Sequence, residues 1–114
     1  MSENYILILV TADSEEQARR ISNVLLERKL IACANIVGKV QSFFWWKGNV
    51  DQSRERLLIM KSRAELLQEI TRLVKENHSY EVPEIVALPI IGGNPDYLRW
   101  IDESVEVNRK GDAS

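Results

Sequence analysis

Every position from 5 to 10 is apolar, and the run stops at Asp13 and Ser14. So short an apolar block predicts a strand buried on both faces. Asp13 stands three residues before Glu16, the reciprocal capping pattern that satisfies free amides at a helix start. Ala18, Ile21, Val24, Leu25 and Arg28 then recur at helical spacing, with Arg19, Arg20, Asn23 and Glu27 opposite them. This predicts a helix of about four turns ending near Lys29, whose charge suits a helix C-terminus. Residues 31–46 are small, β-branched and aromatic, and Lys47-Gly48-Asn49 supplies the positive φ that a tight hairpin needs. Residues 54–61 resume as a strand, so the two segments form an antiparallel ribbon. Ser62 and Glu65 repeat the capping pattern ahead of a second apolar stripe, Leu66, Leu67, Ile70, Leu73 and Val74. Pro83 ends that region, and 84–91 reads as another strand. Asn94 and Pro95 form an N-cap followed by proline at the first helical position. The short helix they open buries Tyr97, Leu98, Trp100, Ile101 and Val105.

The order β-α-β-β-α-β with one appended helix predicts an α+β chain of ferredoxin-like type, an antiparallel sheet with both long helices on one face. The other face is left bare. Apolar patches of that size are rarely left in water, so a nucleic acid, a ligand or another subunit must cover it. At 114 residues the chain reads as a single domain over 1–107, with a flexible tail over 108–114.

Composition narrows the partners. Fifteen Lys plus Arg against seventeen Asp plus Glu leave a net charge of −2, which gives no long-range attraction to nucleic acid or to an anionic membrane. No apolar run is long enough to span a bilayer, and the first lacks a secretory flank. A single cysteine cannot close an internal disulfide, so a reducing, cytoplasmic setting is expected.

Chemistry-bearing residues are few. Cys33 sits between two alanines and reads as a small buried hydrophobe, with a reactive or metal-ligating thiol as the alternative. His78, the sole histidine, reads as complementing a helix C-terminus, with soft-metal ligation as its alternative. One His and one Cys cannot fill a closed four-ligand zinc site. Gly92-Gly93-Asn94-Pro95 lacks the spacing of a phosphate-binding loop and reads as a turn. A hydrolase or isomerase needs a base and an oxyanion site, and the sequence assembles neither, so the chain reads as no enzyme. The four aromatics Phe43, Phe44, Trp45 and Trp46 stand out, because alternating strand side chains cannot all enter one core. They predict a subunit interface. Base stacking on RNA is the rival, but residues 54–61 carry no aromatic.

Several motifs in order resemble the CutA divalent-cation tolerance proteins. Ile31-Ala-Cys-Ala-Asn-Ile36 is similar to their cysteine strand, Trp46-Lys-Gly48 to their hairpin tip, and Lys61 to the end of their next strand. His78-Ser-Tyr80-Glu-Val-Pro83-Glu84-Ile85 is similar to their His-Pro-Tyr-x-x-Pro-Glu segment, with Ser79 in place of proline. Tyr97-Leu-Arg-Trp100 matches the Tyr-Leu-x-Trp of their last helix. The resemblance implies a non-enzymatic homotrimer of PII-like architecture that responds to metal ions, and it carries a copper-binding histidine over to His78. Val10 and Asn77 stand where some members have a further thiol and histidine. The implied binding of copper or another divalent cation is therefore weak, at His78 with Cys33, and no cofactor is tightly held. The alternative function is a sensor of a small anion or metabolite at the cleft between subunits, lined by Lys61, Tyr80 and Glu84.

Overall fold

The fold rests on one pairing register. In the computed structural model, which describes residues 4–107, strand β1 (Tyr5–Ala12) lies antiparallel to β3 (Asn49–Arg63). Ile6, Ile8 and Val10 oppose Ser62, Met60 and Leu58, and all six are buried on one face. Helices α1 (Glu15–Glu27) and α2 (Leu67–Glu76) close over that face with Ile21, Leu25, Ile70 and Val74. Strands β2 (Cys33–Trp46) and β4 (Ile85–Pro89) complete the sheet in the order β2-β3-β1-β4, every pair antiparallel. This is the expected α+β, ferredoxin-like arrangement, with α3 (Pro95–Ser104) as the added helix. The flexible tail expected over 108–114 lies outside the described residues.

The opposite face departs from expectation in two ways. Leu7 and Leu9 are only half-buried, so β1 is sealed on one side and not on both. Nor is that face wholly bare, because α3 crosses one end of it. Tyr5 donates its hydroxyl to Asp102, and Arg63 pairs with the same carboxylate. Since α3 meets the sheet along a narrow strip, Ile101 and Val105 are buried while Tyr97 and Trp100 stay about 40% exposed, ring against ring at 5.3 Å. Val37, Val86 and Leu88 remain in water beyond the helix.

Local chemistry shifts three boundaries. Ser14, not Asp13, is the N-cap of α1: its Oγ accepts from Gln17 N at 3.1 Å. The buried Gln17 side chain reaches back to Asp13 N. Ser62 is no cap at all, because it lies inside β3 and donates to the Leu30 carbonyl at 2.6 Å. A single 3-10 turn, Ala64–Leu66, leads into α2 without any side-chain cap. The hairpin tip is as expected: Lys47 and Gly48 both have positive φ between the paired Trp46 and Asn49, a two-residue turn that matches strand twist. Between Val37 and Val40, β2 carries one residue more than its partner, a bulge with Lys39 at φ 62.

α1 ends in a Schellman motif: Leu30 N–H bonds the Leu25 carbonyl and Lys29 N–H the Leu26 carbonyl, both at 3.0 Å. Lys29 takes the left-handed position there, at φ 56, where a Cβ is disfavoured. Lys29→Gly should therefore stabilise the fold by about 0.5–1 kcal/mol in chemical denaturation. Equal or lower stability would mean that the left-handed lysine stores no strain.

Candidate functional site

Three consecutive residues build the site by anchoring one loop to three places. The His78 Nε2 atom lies 2.7 Å from the Thr11 carbonyl, and its Nδ1 accepts from Tyr80 N–H at 3.1 Å. That pattern assigns the ring proton to Nε2. Ser79 donates to the Asp13 carboxylate at 2.6 Å, so the serine found at the usual proline position has a partner of its own. Tyr80 packs its ring against that of His78, tilted by 48° with centroids 4.7 Å apart, and donates its hydroxyl to Glu55 Oε2 at 2.7 Å.

The loop so fixed walls a groove of about 810 Å³ against the far end of the β2–β3 ribbon. Tyr80, Glu84 and the aromatics 43–46 all line it, which brings two of the expected cleft residues together with the expected interface residues. Glu55 lies at its base, only 4% exposed, and Ser42 Oγ donates to its other oxygen at 2.6 Å. Ser53 completes the chain, 3.3 Å from the Tyr80 hydroxyl. Burial first, and with it the Glu55 carboxylate, hold the Tyr80 phenol above its ordinary range. Asp51, Glu55 and Glu84 are the charged lining residues, so the groove is acidic. The bulge sets which aromatics face Glu55: Val40 pairs with it, so Ser42, Phe44 and Trp46 share its face. Phe43 and Trp45 alternate to the other side and are 66% and 74% exposed.

Lys61 and Cys33 lie elsewhere. They pair across β2 and β3 beside Leu7, four residues along β1 from Thr11, which is roughly 13 Å. Lys61 Nζ bonds Asn35 Oδ1 at 3.1 Å and approaches Cys33 Sγ at 3.7 Å. The Tyr97 hydroxyl meets the same sulfur at 3.6 Å. Burial first, then the thiol, push the Tyr97 phenol up to about 12. Cys33 is thus half-buried among polar groups on the open face, not a small hydrophobe in the core.

Among the described residues no three His, Cys, Asp or Glu side chains converge as metal ligands. Because both ring nitrogens of His78 are in backbone hydrogen bonds, a metal there must displace one of them. Leaving the Thr11 carbonyl or the Tyr80 amide unpaired costs about 1–3 kcal/mol. The donor set does not fit a resident copper ion. Sequence reasoning missed Glu55, which sits in Arg54-Glu55-Arg56 and looks like part of a solvated face. It also missed the pairing of Tyr97 with Cys33, although Tyr97 belongs to a singled-out motif.

The CutA1 divalent ion tolerance protein family model matches residues 6–104. The rice protein CutA 1, chloroplastic, is 46% identical over 99 residues, which is 87% of this chain and 56% of the relative. This chain therefore spans little more than half the length of the plant relatives it matches. The divalent-cation tolerance protein CutA of Archaeoglobus fulgidus is 48% identical over 87% of this chain and 96% of its own. The solved structure of the divalent cation tolerance protein Cut A1 from Thermus thermophilus superposes with a TM-score of 0.88. It is 42% identical and covers 90% of this chain and 99% of its own.

The Ser79 bond holds the Asp13 carboxyl below its ordinary value. A lowered folded-state value stabilises above the unfolded value and is lost as pH falls through the folded one. In Ser79→Ala, Asp13 should titrate at higher pH than in the wild type by NMR, and acid unfolding should begin earlier. An unmoved Asp13 titration would show that Ser79 is not what holds it.

Proposed function

The chain belongs to the CutA1 divalent ion tolerance family, and from that premise we propose that it serves divalent-cation tolerance as a non-catalytic homotrimer that meets metal only weakly. The aromatic ribbon end carries the assembly part of this reading. Phe43 and Trp45 are largely in water and Phe44 and Trp46 partly so, with Val50 exposed beside them. So much aromatic surface, set on both faces of the ribbon end, is stabilised by burial against further copies of the chain. Val37, Val86 and Leu88 add further exposed apolar side chains on the open sheet face. The committed nitrogens of His78 support weak engagement of copper or another divalent cation rather than a tightly held ion.

The separation of Cys33 from His78 supports a role without nucleophilic catalysis. The acidic groove does not favour the alternative reading as a sensor of a small anion, and Lys61 lies outside it. A reducing, cytoplasmic setting is part of the proposal and rests on the single cysteine; the rice relative is named chloroplastic.

Two measurements test it. Light scattering should give a trimer, with thermal stability rising with protein concentration because assembly and folding are linked. The double variant Phe43→Ser, Trp45→Ser should shift that equilibrium toward smaller species, and a stable folded wild-type monomer at micromolar concentration would overturn the assembly. Calorimetry with copper should give a Kd no tighter than about 1 μM. A sub-nanomolar value would overturn the weak-metal reading.

A further inference from the structure

We propose that the loop tip at residues 91–93 of one copy seats in the groove of the next, between its ribbon end and its residues 78–84, so that the copies join head to tail. The proposal rests on the homotrimer reading and adds which two patches meet. Its first observation is a tip that its own chain does not explain. Ile91 is 99% exposed, more than any other large apolar side chain among the described residues. Gly92 and Gly93 follow it, and a Cβ placed on either would meet nothing within 4 Å. Neither takes the left-handed backbone that calls for glycine. An apolar side chain fully in water, beside bare backbone that its own chain does not require, fits a second surface lying against it.

The second observation is the make-up of the groove. Phe44, Trp46, Val82 and Pro83 give it apolar walls, and Val82 is exposed. Lys47 already lies over the Trp46 ring at 5.6 Å, so the ribbon end supplies its own cation. The walls suit an apolar filler. Residues 90–95 carry no charged side chain, so the tip brings no carboxylate to be repelled by Asp51 and Glu84. The third observation is position. Ile90 N–H bonds the Tyr5 carbonyl at 2.9 Å, which fixes the tip at the start of β1. The groove begins at Thr11, six residues along that strand or roughly 20 Å away, and continues along the ribbon to Trp46. Tip and groove of one chain therefore cannot meet. Two unlike patches at opposite ends make a heterologous contact, which closes into a ring where the rotation between copies allows it. Three copies so joined would each bury Phe44 and Trp46 under the tip of a neighbour.

The test is thiol crosslinking of the full chain, with analytical ultracentrifugation of its assembly. In a Cys33→Ser background, Ile91→Cys and Val82→Cys are combined and oxidised with diamide. Denaturing, non-reducing gels should show covalent dimers and trimers from the double variant and monomer alone from each single variant. A bridge within one chain is excluded, because the two positions flank β4, whose five residues span roughly 13 Å. Ile91→Asp should raise the midpoint concentration for dissociation by about tenfold or more, while circular dichroism shows the same fold. Gly92→Ala should raise it as well, although its Cβ meets nothing within one chain. An intact trimer that gives no crosslink, or whose dissociation neither Ile91→Asp nor Gly92→Ala moves, overturns the proposal and leaves the assembly reading standing. Crosslinks from Ile91→Cys alone overturn it too, since they mark a symmetric contact. A monomeric wild type overturns both.

Discussion

The antiparallel pairing of β1 with β3 is the constraint from which the rest follows. Setting Ile8 opposite Met60 and Val10 opposite Leu58 gives the helices a dry face to cover. Because strand side chains alternate, the same register sends Leu7, Leu9, Leu57, Ile59 and Lys61 to the other side. A slip of β3 by one residue would turn Leu57, Ile59 and Lys61 under the helices in place of Leu58, Met60 and Ser62, and so press a lysine into the core. The connection from α1 to β2 is tied to this pair as well. Ala32 N–H bonds the Lys61 carbonyl, and Ser62 holds the Leu30 carbonyl from inside β3.

The groove depends on that frame through His78, Ser79 and Tyr80. Each reaches a different part of it: the end of β1, the approach to α1, and the middle of β3. The loop before β4 therefore has little freedom, and the groove wall it forms is preorganised. An imidazole held by a carbonyl on one side and an amide on the other is a structural bridge first. This places the groove's chemistry in Glu55 and Tyr80 rather than in the histidine.

Element order was readable from periodicity because the apolar stripes of α1 and α2 and the Lys47-Gly48 turn each carry a local signal. Caps were harder. Asp13 and Ser14 are both good capping residues, and only the backbone path decides between them. Ser62 has the right spacing for a cap but lies in a strand, where a distant carbonyl, Leu30, takes its proton. The site was legible only in part. Tyr80, Glu84 and the aromatics stand in recognisable motifs, whereas Glu55 is drawn inward by hydroxyls 13 and 25 residues away in sequence, which no local pattern encodes. Tyr97 and Trp100 follow a helical stripe, yet the narrow contact of α3 with the sheet leaves both partly in water.

The extra residue at Lys39 has a consequence for how the chain can change. It acts as a phase slip: upstream of it the odd positions of β2 share a face with Lys61, and downstream the even ones do. The ribbon end thus keeps its own count of inward and outward positions, set apart from the count that the core enforces. Insertions or deletions of matched pairs beyond the slip preserve which aromatics look into the groove. Loss of the single extra residue would invert them all at once while leaving the core register intact. Groove and core can therefore diversify on separate clocks, with one backbone irregularity as the partition between them.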